Sequence, residues 1–173
     1  MKIVSYNISY CTQKKLDELY KLKADIYIIP EMAKYVKIPD GYFMKFVGEY
    51  LSKGLGIVFN NPYVPSVMMK ICLMQFLCVT KIFLFLLSGQ LKLIRMNLTL
   101  IQQSFELKSV YHELRGESFG NETKKTYFHQ FKEDNPFFLD YAYYTYKTLQ
   151  IKNYELLPWD KDFSDHRGQV IEF

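Results

Sequence analysis

The sequence predicts an α/β domain built around a mixed β-sheet. The N-terminal part follows a strand–helix–strand order, the arrangement of a β-α-β unit whose two strands pair in parallel. Later segments alternate apolar and polar residues between turn residues, as strands do. Aromatic residues make up 17% of the chain, which favours a β-rich protein. With 173 residues, the chain is long enough for one domain with its own core.

The β-α-β unit can be assigned residue by residue. Residues 2–8 alternate well enough for a strand, and Thr12 can cap the helix that follows. The apolar residues of this helix fall three and four positions apart: Leu16, Leu19 and Tyr20. Residues 25–30 form a continuous apolar run, which is typical of a strand buried on both faces, and the run ends at Glu31.

Further strands are predicted along the rest of the chain. The Lys53-Gly54 pair is expected in the turn between the first two of them, and Asp134-Asn135-Pro136 in a later turn. The predicted strands cover residues 41–47, 55–60, 126–131, 137–144, 149–156 and 168–173. The last of these directly follows a short polar stretch, Ser164-Asp165-His166, and therefore places an imidazole at one end of the sheet.

The charge and the cysteine content indicate the kind of substrate and the cellular compartment. The chain has 22 basic and 18 acidic residues, and this net charge of +4 suits a polyanionic substrate without requiring one. The three cysteines are an odd number without metal-binding spacing, so reduced thiols and a cytoplasmic location are expected. The sequence opens as a strand, and no secretory signal is expected.

The centre of the chain, an atypical insert at about 67–107, differs from the rest of this single predicted domain. Residues 67–103 contain no Asp or Glu. Lys81 interrupts the apolar run 71–87, and the remaining pieces are too short to span a bilayer, so no membrane span is expected. Permissible A/T-rich codons for 68–103, read two bases later, encode a charge-balanced, strand-like sequence. A frameshifted stretch and a natural apolar core segment both remain open, and the coding DNA distinguishes them.

Polar residues stand at or near the ends of several predicted strands. Asn7 follows the first strand, Glu31 follows the buried strand, Asp140 lies in a later strand, and Asp165-His166 precede the last strand. Catalytic groups gather where strands end together, because a rigid scaffold holds them there. One or two carboxylates suit Mg²⁺, and a histidine can act as general acid or base. Each residue taken alone also fits an ordinary structural role, so the prediction depends on the whole set.

The same residues carry a resemblance to a known family. The matching stretches are residues 3–8, 24–31, 53–59, 138–141 and 164–166. In this order they resemble the endonuclease/exonuclease/phosphatase superfamily, which includes the DNase I-like nucleases. The resemblance implies a four-layer α-β-β-α sandwich of two mixed sheets. It also implies attack of water on a phosphoester, assisted by Mg²⁺ or by Mn²⁺ in its place.

Site roles follow from the resemblance. Glu31 would bind the metal, with Asn7 beside it on metal-bound water or phosphate. His166 would contact the scissile phosphate or act as acid and base, Asp165 would help to position metal or water, and Asp140 would orient a catalytic imidazole. The other two histidines, His112 and His129, are expected to be structural: His112 at a strand edge and His129 on a strand face.

The chain also departs from the family pattern. It contains no Gly-Asp-x-Asn motif, whose Asp and Asn hold the attacking water and the phosphate in the family. Phe138 stands where many relatives have a histidine. The retained Glu31 and Asp165-His166 favour a nuclease-like hydrolase that acts on nucleic acid or another phosphoester. The missing motif favours a catalytically silent relative, either a decayed gene product or a binding module. The sequence does not indicate an oligomeric state.

Overall fold

The computed structural model describes residues 1–60, 107–145 and 150–173. Its largest element is a six-stranded mixed sheet with the strand order β3-β4-β2-β1-β10-β9. Only β1 and β2 pair in parallel within it, and the other neighbours are antiparallel. The elements are β1 Lys2–Ser5, α1 Gln13–Tyr20, β2 Ile26–Met32, β3 Phe43–Tyr50, β4 Lys53–Phe59, β5 Leu107–Ser109, α2 Val110–Arg115, β6 Tyr127–Phe128, a 3₁₀ turn His129–Phe131, β7 Pro136–Phe137, β8 Tyr143–Thr145, β9 Asn153–Leu156 and β10 Gln169–Glu172.

The predicted β-α-β unit is present at the N-terminus. Thr12 has an extended backbone, and its hydroxyl accepts a hydrogen bond from the Lys15 amide at 3.3 Å, as an N-cap residue does. Leu16 and Leu19 on α1 are buried in the core. Because α1 crosses between β1 and β2, these strands pair in parallel, as the sequence predicted.

The alternation of side chains gives the sheet two apolar faces. One face packs with Leu16 and Leu19 of α1, and its sheet residues are Val4, Tyr27, Ile29, Val58 and Val170. The opposite face is built from Ile3, Ile26, Ile28, Leu55 and Phe59. Strand β2 contributes to both clusters, which explains why its sequence is a continuous apolar run rather than an alternating one.

A second, smaller sheet lies over the face opposite α1. Its strands β5 and β8 pair antiparallel. Val110, Ala142 and Tyr144 pack there against Ile171 of β10. Ile171 lies directly opposite Ile3 in the antiparallel register, so both side chains are on the same face of the large sheet. The described residues therefore give a helix layer, a large sheet and a second β layer.

The β3–β4 hairpin differs from the prediction. The Lys53-Gly54 pair was expected in the turn but lies inside β4, and both strands are longer than predicted. A Cβ atom on Gly54 would lie 2.5 Å from the Phe46 ring and 2.7 Å from the Val47 carbonyl oxygen. The glycine is therefore needed for close approach between paired strands, which a turn signal in the sequence cannot distinguish.

The C-terminal strands are shorter than predicted. Positive φ angles at Gln130 (54°) and Phe131 (57°) end the segment predicted as strand 126–131 after Phe128. Residues 138–142 lie outside the ladders, because the amides of Leu139 and Asp140 both donate to the Thr126 hydroxyl at 3.0 Å. Of the segment predicted as strand 149–156, the structure describes residues 150–156, in which the strand is β9; the last predicted strand is confirmed as β10.

Two further predictions concern the position of His112 and the atypical insert. His112 was expected at a strand edge, but it lies in α2, which ends at Gly116 in the left-handed conformation (φ 66°). The atypical insert at about 67–107 lies outside the described residues, apart from Leu107 at the start of β5. Within the described ranges, no helix is long and apolar enough to cross a membrane.

The connection from α1 to β2 yields a stability prediction. The buried Tyr27 hydroxyl accepts from the Ala24 amide at 2.9 Å and donates to the Tyr20 carbonyl at 3.1 Å. Tyr27→Phe removes the hydroxyl and leaves the Ala24 amide and the Tyr20 carbonyl without these hydrogen bonds, so we expect the free energy of unfolding in urea to fall by about 1–3 kcal/mol. Tyr35→Phe is the control: Tyr35 is 77% exposed, and its change should stay within about 0.5 kcal/mol. Equal stabilities of the two variants would contradict the prediction.

Candidate active site

The two ends of the chain meet at one edge of the large sheet. Strands β1 and β10 are antiparallel neighbours, so Asn7, two residues after the end of β1, and His166, three residues before the start of β10, lie at the same edge. Ser164 joins them: its hydroxyl donates to the Asn7 carbonyl at 2.6 Å and accepts from the His166 amide at 3.0 Å. Ser164 is fully buried, which fixes the positions of both backbone segments.

His166 lies between an amide and a carboxylate. Its Nδ1 atom is 2.9 and 3.0 Å from the two carboxylate oxygens of Asp140, and its Nε2 atom is 3.3 Å from the Asn7 side-chain nitrogen. In the neutral tautomer that this geometry fits, Nδ1–H donates to Asp140 and Nε2 accepts from Asn7. The side chains of His166 and Asp140 are mostly buried, with exposures of 13% and 18%. The structure therefore brings three of the predicted catalytic residues into one hydrogen-bonded chain.

The surrounding charges favour the protonated form of His166. Burial of the imidazole acts to lower its pKa, but the charge and hydrogen bond of Asp140 act in the opposite direction, and the charges of Asp165 and Glu31 add to them. The pKa of His166 is raised above its ordinary value as a result. The imidazole is thus suited to accept a proton and to hold it beside a negatively charged group.

Buried polar residues that the sequence analysis did not identify hold Asp140 in place. Thr126 accepts hydrogen bonds from the Leu139 and Asp140 amides, and the Gln169 side-chain amide donates to the Asp140 carbonyl at 2.8 Å. Thr126 and Gln169 are both almost completely buried. Gln169 is two residues before Ile171 and therefore on the same face of the last strand, and a polar residue at this inward position is the sequence signal that could have identified it.

The loop that carries Asn7 is held by Lys15. The Lys15 ammonium group donates to the carbonyls of Ile8 (2.9 Å) and Ser9 (2.5 Å), and the Ser9 amide donates to the Asn7 side-chain oxygen at 3.1 Å. Ser9 and Tyr10 have positive φ angles of 37° and 59°. Lys15 therefore stabilises a strained turn that directs the Asn7 amide nitrogen toward His166.

The predicted metal ligands lie at the same edge of the molecule. Glu31 sits at an irregularity of β2 with a positive φ of 62°, and its carboxylate is 3.1 Å from the Lys53 ammonium group. Its charge and that of Asp165 both act on the His166 imidazole. The Asp165 carbonyl accepts from the Phe128 amide at 2.7 Å, which ties this segment to β6.

The donor set is compatible with a water-rich magnesium site. Among the residues that the structure describes, no three His, Cys, Asp or Glu side chains cluster as a metal cage. Mg²⁺ is commonly bound through one or two carboxylates and retains several waters, so the oxygens of Glu31 and Asp165 would suffice. These two residues fit the ion in number and chemistry, although Lys53 currently neutralises one of them.

The two remaining histidines lie in different surroundings. The His112 side chain is 8% exposed, with Nδ1 2.8 Å from the Ser109 hydroxyl and Nε2 3.1 Å from Glu122, and it stacks on Phe119. This cluster joins α2 to the following loop and has the contacts of a structural unit. His129 is exposed and contacts the Tyr127 hydroxyl, and the Tyr127 ring packs against the His166 ring.

The Asp140–His166 contact makes a measurable prediction. In Asp140→Asn, the carboxylate that favours the imidazolium is lost, so burial should lower the pKa of His166 relative to the wild type. An NMR titration in the presence of EDTA measures this pKa, with His166→Gln used to assign the signal. Asp162→Asn, at an exposed position, should leave the pKa unchanged. An unchanged pKa in Asp140→Asn would be inconsistent with the observed hydrogen bond.

Comparison with known proteins gives matches among solved structures. No protein-family model and no curated protein matches the chain. Two structures of NExo from Neisseria, described as a 3′-5′ exonuclease and as a 3′ phosphatase bound to product DNA hairpin, align over 100% of this chain and 99% of theirs, with 13% identity and a TM-score of 0.66. The endonuclease domain of TRAS1, a telomere-specific non-LTR retrotransposon, aligns over 98% and 96%, with 13% identity and a TM-score of 0.57. The chain therefore has the mixed α/β DNase I-like fold that the sequence resemblance predicted.

Proposed function

We propose that this protein is a metal-dependent phosphoester hydrolase of the nuclease type. The observation that supports this most directly is the buried Asn7–His166–Asp140 chain at the edge of the sheet. The charges of Glu31 and Asp165 act on the same imidazole. An amide donor, an oriented imidazole and oxygen ligands are the groups that hydrolysis of a phosphoester needs.

His166 is the central group in the proposed mechanism. Asp140 accepts a hydrogen bond from Nδ1–H and thereby orients the imidazole, so that its Nε2 atom lies beside the Asn7 side-chain amide. There they contact the scissile phosphate, where the Asn7 N–H and protonated His166 stabilise the negative charge that builds up as water attacks phosphorus. As the water oxygen bonds to phosphorus, the bond from phosphorus to the leaving oxygen breaks. Protonated His166 gives its Nε2 proton to that oxygen, the attacking water releases a proton to solvent, and His166 is reprotonated from solvent.

The metal would be held by Glu31 and Asp165. When bound, Mg²⁺ or Mn²⁺ supplies neutralisation of phosphate charge and polarisation of water. For Glu31 to take part, it has to release Lys53, whose side chain is 60% exposed and can move into solvent. That release leaves Lys53 close to an incoming polyanion, where its charge favours binding.

Nucleic acid is the proposed substrate class. The names of the solved structures with this fold describe an exonuclease, a 3′ phosphatase bound to a DNA hairpin and a retrotransposon endonuclease. The net charge of +4 is compatible with a polyanionic substrate. We also propose a cytoplasmic location, because the odd number of cysteines favours a reducing compartment.

A catalytically silent binding protein is the second candidate. The sequence contains no Gly-Asp-x-Asn motif, and the Glu31 carboxylate is paired with Lys53. A chain of this kind would bind phosphate or nucleic acid at the same edge without cleaving it. Turnover, rather than binding, therefore separates the two candidates.

Hydrolysis tests the first candidate. We expect Mg²⁺-dependent cleavage of plasmid DNA or bis-p-nitrophenyl phosphate, inhibited by EDTA. His166→Ala should lower kcat by about 10²–10⁴-fold, the usual contribution of a general acid or base. Asp162→Asn serves as the exposed control and should retain wild-type rates. Absence of turnover in the wild type with both substrates would favour the silent relative, and full activity in His166→Ala would exclude the proposed role.

The role of Glu31 can be tested by metal binding, independently of turnover. Glu31→Gln removes a charged ligand and should raise the Kd for Mn²⁺ in calorimetry. Lys53→Met removes the competing ammonium group and should lower this Kd. If both variants bind Mn²⁺ as the wild type does, Glu31 is not a metal ligand.

A further inference from the structure

A second polar pair adjoins the His166 ring. The Tyr127 hydroxyl is 2.7 Å from Nδ1 of His129, and the Tyr127 ring centroid is 4.7 Å from that of His166. Tyr127 and His166 also face each other as an antiparallel bridge. The backbone therefore holds the phenol against the imidazole, and His129 reaches the phenol from the solvent side.

Stability does not account for this pair. The turn that presents His129 continues through Gln130 and Phe131, both in the left-handed region. Such residues cost on the order of 1–3 kcal/mol each. A hydrogen bond contributes only about 0.5–1.5 kcal/mol, and this one involves an exposed histidine. Strain of this size next to a candidate active site is what a functional constraint produces.

The phenol lies among negative charges. Burial raises the pKa of Tyr127, and the charges of Asp165, Glu31 and Asp140 raise it further. The hydroxyl therefore keeps its proton at neutral pH. When His129 carries a hydrogen on Nδ1, it donates to the phenol oxygen, and the phenol O–H is then free to donate elsewhere. The phenol O–H can donate a hydrogen bond to an anionic ligand. The surrounding carboxylates would repel that ligand, and a bound cation would offset their negative charge.

We propose that the Tyr127 hydroxyl, held by His129, is a second phosphate-contacting group of the site, donating a hydrogen bond to a non-bridging oxygen of the nucleic-acid backbone beside His166. This inference builds on the proposed function, because it names a further contact of the same site. His129 does not touch the substrate in this arrangement and acts as a positioning residue for the phenol.

Binding and turnover are measured separately to test this. The probe for binding is the tetranucleotide dT4 with Ca²⁺ in place of Mg²⁺. The fluorescence of Trp159 reports it: this residue is the single tryptophan of the chain, stacks on Phe128 at 4.0 Å and donates to the Ser164 carbonyl. The variants are Tyr127→Phe, His129→Gln and the double variant, and turnover is followed on plasmid DNA with Mg²⁺.

Tyr127→Phe should weaken dT4 binding by about tenfold or more, since hydrogen bonds to charged groups are the stronger class. His129→Gln should have a smaller effect, and the double variant should match Tyr127→Phe because His129 acts only through the phenol. The exposed control Tyr35→Phe should bind as the wild type does. The variants should unfold at the same urea concentration as the wild type, within error. Weaker binding would then reflect a lost contact with dT4 and not a loss of stability.

Several outcomes would overturn the inference. Wild-type dT4 affinity in Tyr127→Phe overturns it, and so do additive effects of the two single changes. If Tyr127→Phe weakens dT4 binding while the wild type shows no turnover, the hydrolase fails and the phosphate contact stands. If hydrolysis depends on His166 but Tyr127→Phe binds and cleaves normally, the contact alone fails. Absence of dT4 binding by the wild type overturns the phosphate contact, and turnover alone then decides the hydrolase.

Discussion

The pairing of β1 with β10 is the constraint on which the rest of the structure depends. Its register runs from Lys2 opposite Glu172 to Ser5 opposite Gln169, and the N-terminal ammonium group donates to the Phe173 carbonyl at 2.9 Å. A shift of one residue would turn every side chain of β10 to the other face of the sheet. Val170 would then leave the cluster under α1, and His166 would lose its position beside Asn7. Fold and site are therefore specified by the same backbone hydrogen bonds.

Buried polar residues convert this pairing into a precise geometry. Ser164, Thr126 and Gln169 connect the segments that carry Asn7, His166 and Asp140. Each such hydrogen bond adds only about 0.5–1.5 kcal/mol to stability, but a buried group left without a partner costs about 1–3 kcal/mol. Their main effect is to disfavour other arrangements of these loops. Because other loop arrangements are disfavoured, the side chains of Asn7, His166 and Asp140 stay within hydrogen-bonding distance although the C-terminal strands are short.

Sequence reasoning predicted the parts of the fold that local patterns encode. The Thr12 cap, the doubly buried β2 and the terminal strand β10 all follow from residue type and periodicity. The convergence of Asn7, Asp140 and His166 came from strand ends and the family resemblance. Gly54 was misplaced, because a glycine needed for close strand approach looks like a glycine in a turn. The pairing of Glu31 with Lys53 and the packing of the Tyr127 ring on His166 depend on tertiary geometry that no spacing in the chain encodes.

The ion pair between Glu31 and Lys53 has a consequence for how the protein matures. An acidic edge assembled without counter-charge would oppose its own folding, since carboxylates close together repel. Here Lys53 of the neighbouring strand β4 supplies a counter-charge to Glu31 within the protein itself. Under the proposed function, binding of a metal by Glu31 would exchange one positive charge for another, so this carboxylate would have a cationic partner both before and after the metal binds.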